Sequence, residues 1–250
     1  MSARLNTDAG YGSQAILRTA VLLISGLAAL AAGTAASANG VVREQRPVAS
    51  IERVVLRAVG DLYVTQGPQE SLVIEAEKPL LGRISSHVKD GVLTFDIQGR
   101  QFSSRHPVRY HLTVKNLKVI DARGSGDIDA RNLRGQVLDL HLAGSGNASV
   151  RALETRQLRV RIIGSAQVAL DGRAAHQTVS IEGAGDYDAR RLQSSQATVS
   201  ISGAGNAVVH VKERLTARIS GSGEIQYHGN PKVESAITGA GEVIRAEGAS

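Results

Sequence analysis

Gly-Ser-Gly or Gly-Ala-Gly followed by a polar residue recurs through the second half of this 250-residue chain, with first glycines at Gly124, Gly144, Gly164, Gly183, Gly203, Gly221 and Gly239. The steps between them are 20, 20, 19, 20, 18 and 18 residues. So short and regular a period leaves few folds open. Each unit is too small to bury an apolar face alone and must stack on the next.

Strand side chains alternate between two faces, so positions separated by an even number of residues share one. Two residues before the first glycine stand Ala122, Leu142, Ile162, Ile181, Ile201, Ile219 and Ile237; four before it stand Ile120, Leu140, Val160, Val179, Val199 and Ala217. Four after it stand Ile128, Ala148, Val168, Tyr187, Ala207, Ile225 and Val243. These three columns are the expected core. Aromatic residues make up only 3% and Trp is absent, which suits a narrow interior of Val, Ile, Leu and Ala. Each unit reads strand, glycine corner, strand, polar turn, with equivalent residues stacked about 4.8 Å apart. The expected fold is all-β, a right-handed parallel β-helix or solenoid of seven coils of 18–20 residues.

Upstream, Val54–Leu56, Leu62–Thr65, Leu72–Glu75 and Val92–Ile97 are short β-rich runs separated by Gly60, Gly67-Pro68 and the hairpin signal Asp90-Gly91. Pro79–Ile84 suggests a helical turn, Gln98–Pro107 an exposed basic loop, and Val108–Val114 a further strand. The layout is therefore one body over 51–246. Its N-terminal β portion, 51–115, caps or extends the glycine-corner repeats of 116–246. Residues 39–50, with Gly40 and Pro47, read as a flexible leader.

Residues 1–38 read as a signal peptide: Arg4 and Arg18 precede the apolar run Val21–Ala32, and Ala36-Ser37-Ala38 fits a cleavage site after Ala38. The expected location is periplasmic or secreted, with no transmembrane anchor after cleavage. Removing this segment leaves 27 basic and 22 acidic side chains, a net charge of +5. That excess suits an anionic envelope polymer better than nucleic acid, which export makes an improbable partner. There is no cysteine, so stability comes from burial and hydrogen bonding rather than disulfides.

The run Gly60–Gly67, then Leu72–Glu77, then Val88-Lys89-Asp90-Gly91-Val92-Leu93, followed by the Gly-Ser-Gly-Asp rungs, resembles the head GIN domain family of autotransporter adhesins over residues 51 to 246. The resemblance implies a parallel β-helix exported to a bacterial envelope, with adhesion as its function by analogy. The chain departs from the pattern at Ala166, where the second corner glycine is missing, and in lacking the lipoprotein cysteine of many relatives.

Two outward columns are candidate sites. Three residues after the glycine stand Asp127, Asn147, Gln167, Asp186, Asn206, Glu224 and Glu242. This ladder offers hard oxygen ligands, but its spacing is not that of the nonapeptide calcium repeat, and turn capping explains the residue types; no metal or cofactor is expected. Seven residues after the glycine stand Arg131, Arg151, Asp171, Arg190, His210 and His228, a mostly basic column with Asp129 and Asp188 two residues before two of its arginines. It reads as a solvated face or a groove for anionic polysaccharide.

No Gly-x-Gly extends to the phosphate-binding fingerprint, so nucleotide is excluded, and corner residues Ser125, Ser145, Ser165 and Ser222 lack the histidine of a triad. The carboxylates Asp127, Asp129, Asp186 and Asp188 are the candidates for a β-helix lyase or hydrolase, yet the two pairs lie three coils, about 14 Å, apart. The expectation is a non-catalytic exported adhesin, scaffold or binding module for an anionic envelope polysaccharide or an envelope protein. A polysaccharide-active enzyme is the alternative.

Overall fold

The computed structural model describes residues 40–99 and 104–246. Residues 1–38, expected to be a signal peptide, and the middle of the 98–107 loop lie outside the described residues.

Stacked parallel strands build the body. The glycine corners divide the long strands β10 (Arg134–Gly144), β11 (Ala148–Gly164), β12 (Gln167–Gly183), β13 (Asp186–Gly203) and β14 (Asn206–Gly221), each pairing in parallel with the next. Every corner glycine stands opposite the corner glycine of the neighbouring coil, from Gly124↔Gly144 to Gly221↔Gly239, which makes six turns between the first corner and the last. The three expected columns line the interior: Ile162, Ile181 and Val199 are fully buried and Leu142 is 3% exposed. A further inward column, Leu138, Leu158, Gln177, Ala197 and Leu215, runs six residues before the corners. Gln177 is polar there because buried Tyr187 needs a partner. The Tyr187 hydroxyl donates to Gln177 Oε1 at 2.9 Å, and Gln177 Nε2 donates to Ser194 Oγ at 2.7 Å.

The N-terminal portion both extends and caps the stack. The strand pair β2 (Arg53–Leu56) and β3 (Asp61–Gln66) lies in parallel register beneath β8 (Val119–Gly124) and β9 (Ile128–Arg131), so Leu56 continues the Ala122 column and Leu62 the Ile128 column. Beneath these come β6 (Val92–Ile97) and β7 (Arg109–Val114), also parallel to them. The chain thus lays down its second rung before its first. Antiparallel strands then close the end: β4 (Ser71–Glu77) on β7, β1 (Val41–Arg46) on β4, and β5 (Ile84–Lys89) on β6 through a hairpin with Asp90 and Gly91 at φ +51° and +75°. The helical turn is α1 (Lys78–Leu81), which buries Leu80 and Leu81 against this end.

One boundary needs correcting. Residues 41–46, read as part of a flexible leader, form β1. Their sequence, Val-Val-Arg-Glu-Gln-Arg, has no alternation because β1 gains its order from a partner strand and from ions: Arg43 Nε meets Glu75 Oε2 at 2.8 Å, and Arg46 Nη1 donates to the Ile84 carbonyl at 2.8 Å. Glu75 also accepts from Arg109 Nη1 at 2.9 Å, tying β1, β4 and β7 together. Burial pushes the Glu75 carboxyl up, but the two guanidiniums outweigh it and hold it below the usual carboxylate range.

At the C-terminal end of the repeats, β15 (Glu224–Gly229), β16 (Lys232–Gly239) and β17 (Glu242–Arg245) complete the last coils. Here the core thins. Ile237 is 43% exposed, where Ile219, one coil below, is 2% exposed.

The corners depend on missing Cβ atoms. Gly144 sits at φ +138°, and a Cβ there would lie 2.1 Å from the Gly124 carbonyl oxygen. Gly124 has a similar φ, +131°, but a Cβ would meet nothing within 4 Å. Gly124→Ala therefore carries only the dihedral penalty, about 1 kcal/mol, whereas Gly144→Ala adds a backbone collision and is expected to cost roughly 3 kcal/mol or more. Urea titrations of the two variants check this, and equal losses would contradict the role of coil-to-coil approach.

Candidate functional site

Because the fourth residue after each corner points inward, the third and fifth point out, and the coils bring both into register on one wall. Position three carries Asp61, Asp127, Asn147, Gln167, Asp186 and Asn206; position five carries Tyr63, Asp129, Ser149, Ala169, Asp188 and Val208. The small side chains Ser149 and Ala169 lie between Asp129 and Asp188 and leave a concavity. The result is a lateral groove of about 660 Å³ running across six rungs, from Asp61 and Tyr63 to Asn206 and Val208.

The polar ladder has a structural task along part of this groove. Asp61 Oδ1 accepts the Asp127 N–H at 3.2 Å, and Asp127 Oδ1 accepts both the N–H and the Nδ2 of Asn147, at 2.9 and 3.1 Å. Asn206 Nδ2 donates to Asp186 Oδ1 at 2.9 Å. Above Ala166 the backbone takes over: the N–H groups of Asp186, Asn206, Glu224 and Glu242 each donate to a carbonyl of the coil below, at 3.0 to 3.2 Å. Ala166 is where the mode changes. Its methyl group is fully buried in the position where other coils have the second corner glycine, and its φ lies outside the left-handed region. Glu224 and Glu242 continue the ladder beyond the groove.

The basic column is only partly continuous. Arg131 and Arg151 stand opposite one another, and so do His210 and His228, whose ring centroids are 6.2 Å apart. Between them the register slips twice: the coil from Gly164 to Gly183 is shorter than its neighbours, so Asp171 faces Arg191, and the coil from Gly203 to Gly221 is shorter than the one before it, so His210 faces Gln193 and Arg190 stands outside the row. Asp171 instead accepts the N–H of Ala152 at 2.6 Å, at a residue with φ +53°.

The arginines of the column already have carboxylate partners. Arg131 grips Asp129 with Nε at 2.8 Å and Nη2 at 3.0 Å, Arg151 Nη2 closes on the same carboxylate, and Arg190 Nε lies 2.8 Å from Asp188. The hydrogen bond from Arg131, reinforced by the charge of Arg151 and opposed by partial burial, holds the Asp129 carboxyl below its usual range. A carboxyl so held is a poor general acid at neutral pH. Asp127 and Asp129 are two residues apart on one face, but Asp127 is engaged with Asn147 and Asp129 with two guanidiniums. Among the described residues no group of three or more His, Cys, Asp or Glu side chains is placed to hold a metal ion.

The groove ends at Tyr63, outside the aligned repeats. Tyr63 stacks on His111 with ring centroids 5.1 Å apart and planes 15° from parallel, and His111 Nε2 lies 3.8 Å from Glu75 Oε2. Burial lowers the His111 pKa, against the pull of Glu75. Arg43, Glu75, Arg109, His111 and Tyr63 come from four strands, β1, β4, β7 and β3. The signal that could have located Tyr63 was its place two residues after Asp61, matching Asp129 after Asp127.

The chain is thus a parallel β-solenoid with an antiparallel cap at one end and a polar lateral groove along one wall. The chain belongs to the family described as "Putative auto-transporter adhesin, head GIN domain", whose model matches residues 52–231. Among solved structures it is similar to a putative adhesin from Bacteroides fragilis, at 25% identity and TM-score 0.78, covering 82% of this chain and 97% of that one. A putative adhesin from Parabacteroides distasonis matches at 25% identity and TM-score 0.65, covering 82% and 97%. A protein from the same organism described as a putative lipid binding protein shares the fold at 18% identity and TM-score 0.69, covering 84% and 98%. No curated protein matches. Among the described residues no helix is long and apolar enough to cross a membrane.

The Asp129 cluster sets a pH dependence. Its folded pKa is depressed, so its contribution is present above the unfolded value, near 3.8, and is lost as pH falls through the lower folded value. Asp129→Asn is expected to cost about 1 kcal/mol at neutral pH, as two partly exposed ion pairs allow, and nothing in strong acid. Denaturant melts at neutral and strongly acidic pH check it; an equal loss at both would contradict the ion-pair account.

Proposed function

We propose that this chain is a non-catalytic, exported envelope protein that adheres by laying an extended glycan along the ladder groove. The carrying observation is the groove's regularity: outward amides and carboxylates recur on successive coils, with a tyrosine face at one end. That is a row of hydrogen-bonding positions suited to a polymer with repeating hydroxyls. Aromatic Tyr63 offers the one flat apolar surface for a sugar ring there.

The charge pattern narrows the ligand. Asp61, Asp127, Asp129, Asp186 and Asp188 line the groove, and the nearby guanidiniums of Arg131, Arg151 and Arg190 are committed to two of them. An anionic polymer would have to compete with Asp129 and Asp188 for those arginines while approaching the remaining carboxylates. A hydroxyl-rich glycan without dense negative charge meets no such opposition. Export is supported by the basic, apolar and small-residue order of residues 1–38, and cleavage after Ala38 would leave a mature chain beginning at Asn39.

Affinity electrophoresis of the mature chain in neutral and in acidic polysaccharides tests this reading. Retardation by a neutral glycan is expected, weakened about tenfold (~1.4 kcal/mol) by Asn147→Ala and abolished by Ala169→Trp, which fills the floor without touching the core. Release of saccharide, retention only by acidic polymers, or no retention by either would overturn it. Intact mass of the protein recovered from the cell envelope is expected to correspond to residues 39–250; retention of the first 38 residues would contradict cleavage.

A further inference from the structure

The two ends of the solenoid are built differently. The N-terminal end is closed by three antiparallel strands and α1, whereas the C-terminal coil presents β16, whose ladder among the described residues runs to β14 alone. On this wall the direction of each peptide group can be read. The Asp139 N–H donates to the Lys118 carbonyl of the coil below, and Val119, opposite Asp139, likewise donates to Glu52. Asp139 is carried in register through Arg159, Thr178, Thr198 and Thr216 to Glu234. Peptide groups alternate along a strand, so Lys232, Glu234, Ala236 and Thr238 bond to β14, and Val233, Ser235 and Ile237 direct both N–H and C=O to the free edge. These same three residues carry the inward side chains of the coil.

From this coincidence we infer that the chain self-associates end to end, β16 pairing antiparallel with β16 of a second copy about a two-fold axis at Ser235. In this register Ser235 faces the partner's Ser235, and Val233 faces the partner's Ile237. Every free N–H and C=O of the three residues then meets a complementary group, because residues opposite one another in an antiparallel hydrogen-bonded pair exchange both bonds. The inward faces also coincide. The two cores become continuous, and Ile237, 43% exposed in one copy, is covered by the partner's Val233. A shift of one residue would break both matches at once, and a shift of two would leave fewer of the three residues paired with one another. The contact is isologous and closes at two copies, which an edge paired head to tail would not do. The edge charges do not oppose it: Lys232 and Glu234 point outward and pair with each other at 3.4 Å.

Light scattering and sedimentation of the mature chain test the inference, independently of any glycan. The expected mass is twice that of the chain. Ser235→Pro is expected to halve it, because the lost N–H faces the free edge, a place where a strand tolerates proline, and the single chain should still melt in one cooperative step. Ile237→Lys, a substitution at an exposed side chain, is expected to do the same and guards against a folding defect in the proline variant. The chain has no cysteine, so Ser235→Cys supplies a unique thiol. Opposed Cα atoms in such a pair lie about 5.5 Å apart, within disulfide reach, and oxidation should yield a covalent dimer that Ser125→Cys does not. A single-chain mass at all concentrations, a doubled mass that survives both Ser235→Pro and Ile237→Lys, or no preferential crosslink at 235 would overturn it.

Discussion

The structure depends on the hydrogen bond between one glycine corner and the next. The carbonyls of Gly124, Gly144, Gly164, Gly183, Gly203 and Gly221 each accept the N–H of the residue that follows the next corner glycine, at 2.9 to 3.1 Å. A side chain on the upper glycine would occupy the space of that carbonyl, as the 2.1 Å approach at Gly144 makes plain. The corner is therefore both a change of chain direction and the closest backbone approach between coils. Once it is set, the flanking strands have no choice of register, and the alternation of side chains delivers one set of columns to the core and another to solvent.

From that constraint the groove follows with little further input. The outward wall after the corner carries carboxylates and amides because they serve the corner itself: Asp61 and Asp127 cap the N–H groups of the next coils below Ala166, and backbone carbonyls do so above it. Capping and ligand binding are thus not competing readings of the ladder. A side chain that spends one oxygen on a neighbouring coil still offers its other atoms to the groove. The arginines of the next column are spent differently, on Asp129 and Asp188, which lowers their value to an incoming anion and turns attention from the basic column to the ladder beside it.

The repeats were legible because their period, their inward columns and their corners are all local in sequence. The core positions from Ala122 to Ile219 and the hairpin at Asp90-Gly91 needed no long-range information. What escaped was whatever depends on which strand lies beside which. Residues 41–46 lack a strand's alternation and are ordered by β4, Glu75 and Ile84, all at a distance in sequence. The out-of-order stacking of β2–β3 between β6–β7 and β8–β9 leaves no periodic trace. The basic column looks continuous because counting from each glycine assumes that every coil adds the same number of residues, and the shorter coils after Gly164 and Gly203 displace Arg190 from the row. The groove was visible only as two separate columns; its depth comes from Ser149 and Ala169, small residues with no chemistry to attract notice.

If each glycine corner adds one rung of fixed height, the distance between two corners follows from the number of coils between them. Spin labels at Ser125→Cys and Ser222→Cys, exposed corner positions five coils apart in a chain otherwise without cysteine, can be measured by pulsed dipolar spectroscopy after dilution with unlabelled protein. Five rungs correspond to about 24 Å, and a single narrow distribution centred near that value is the result expected. A broad distribution, or a centre displaced by a rung or more, would contradict it.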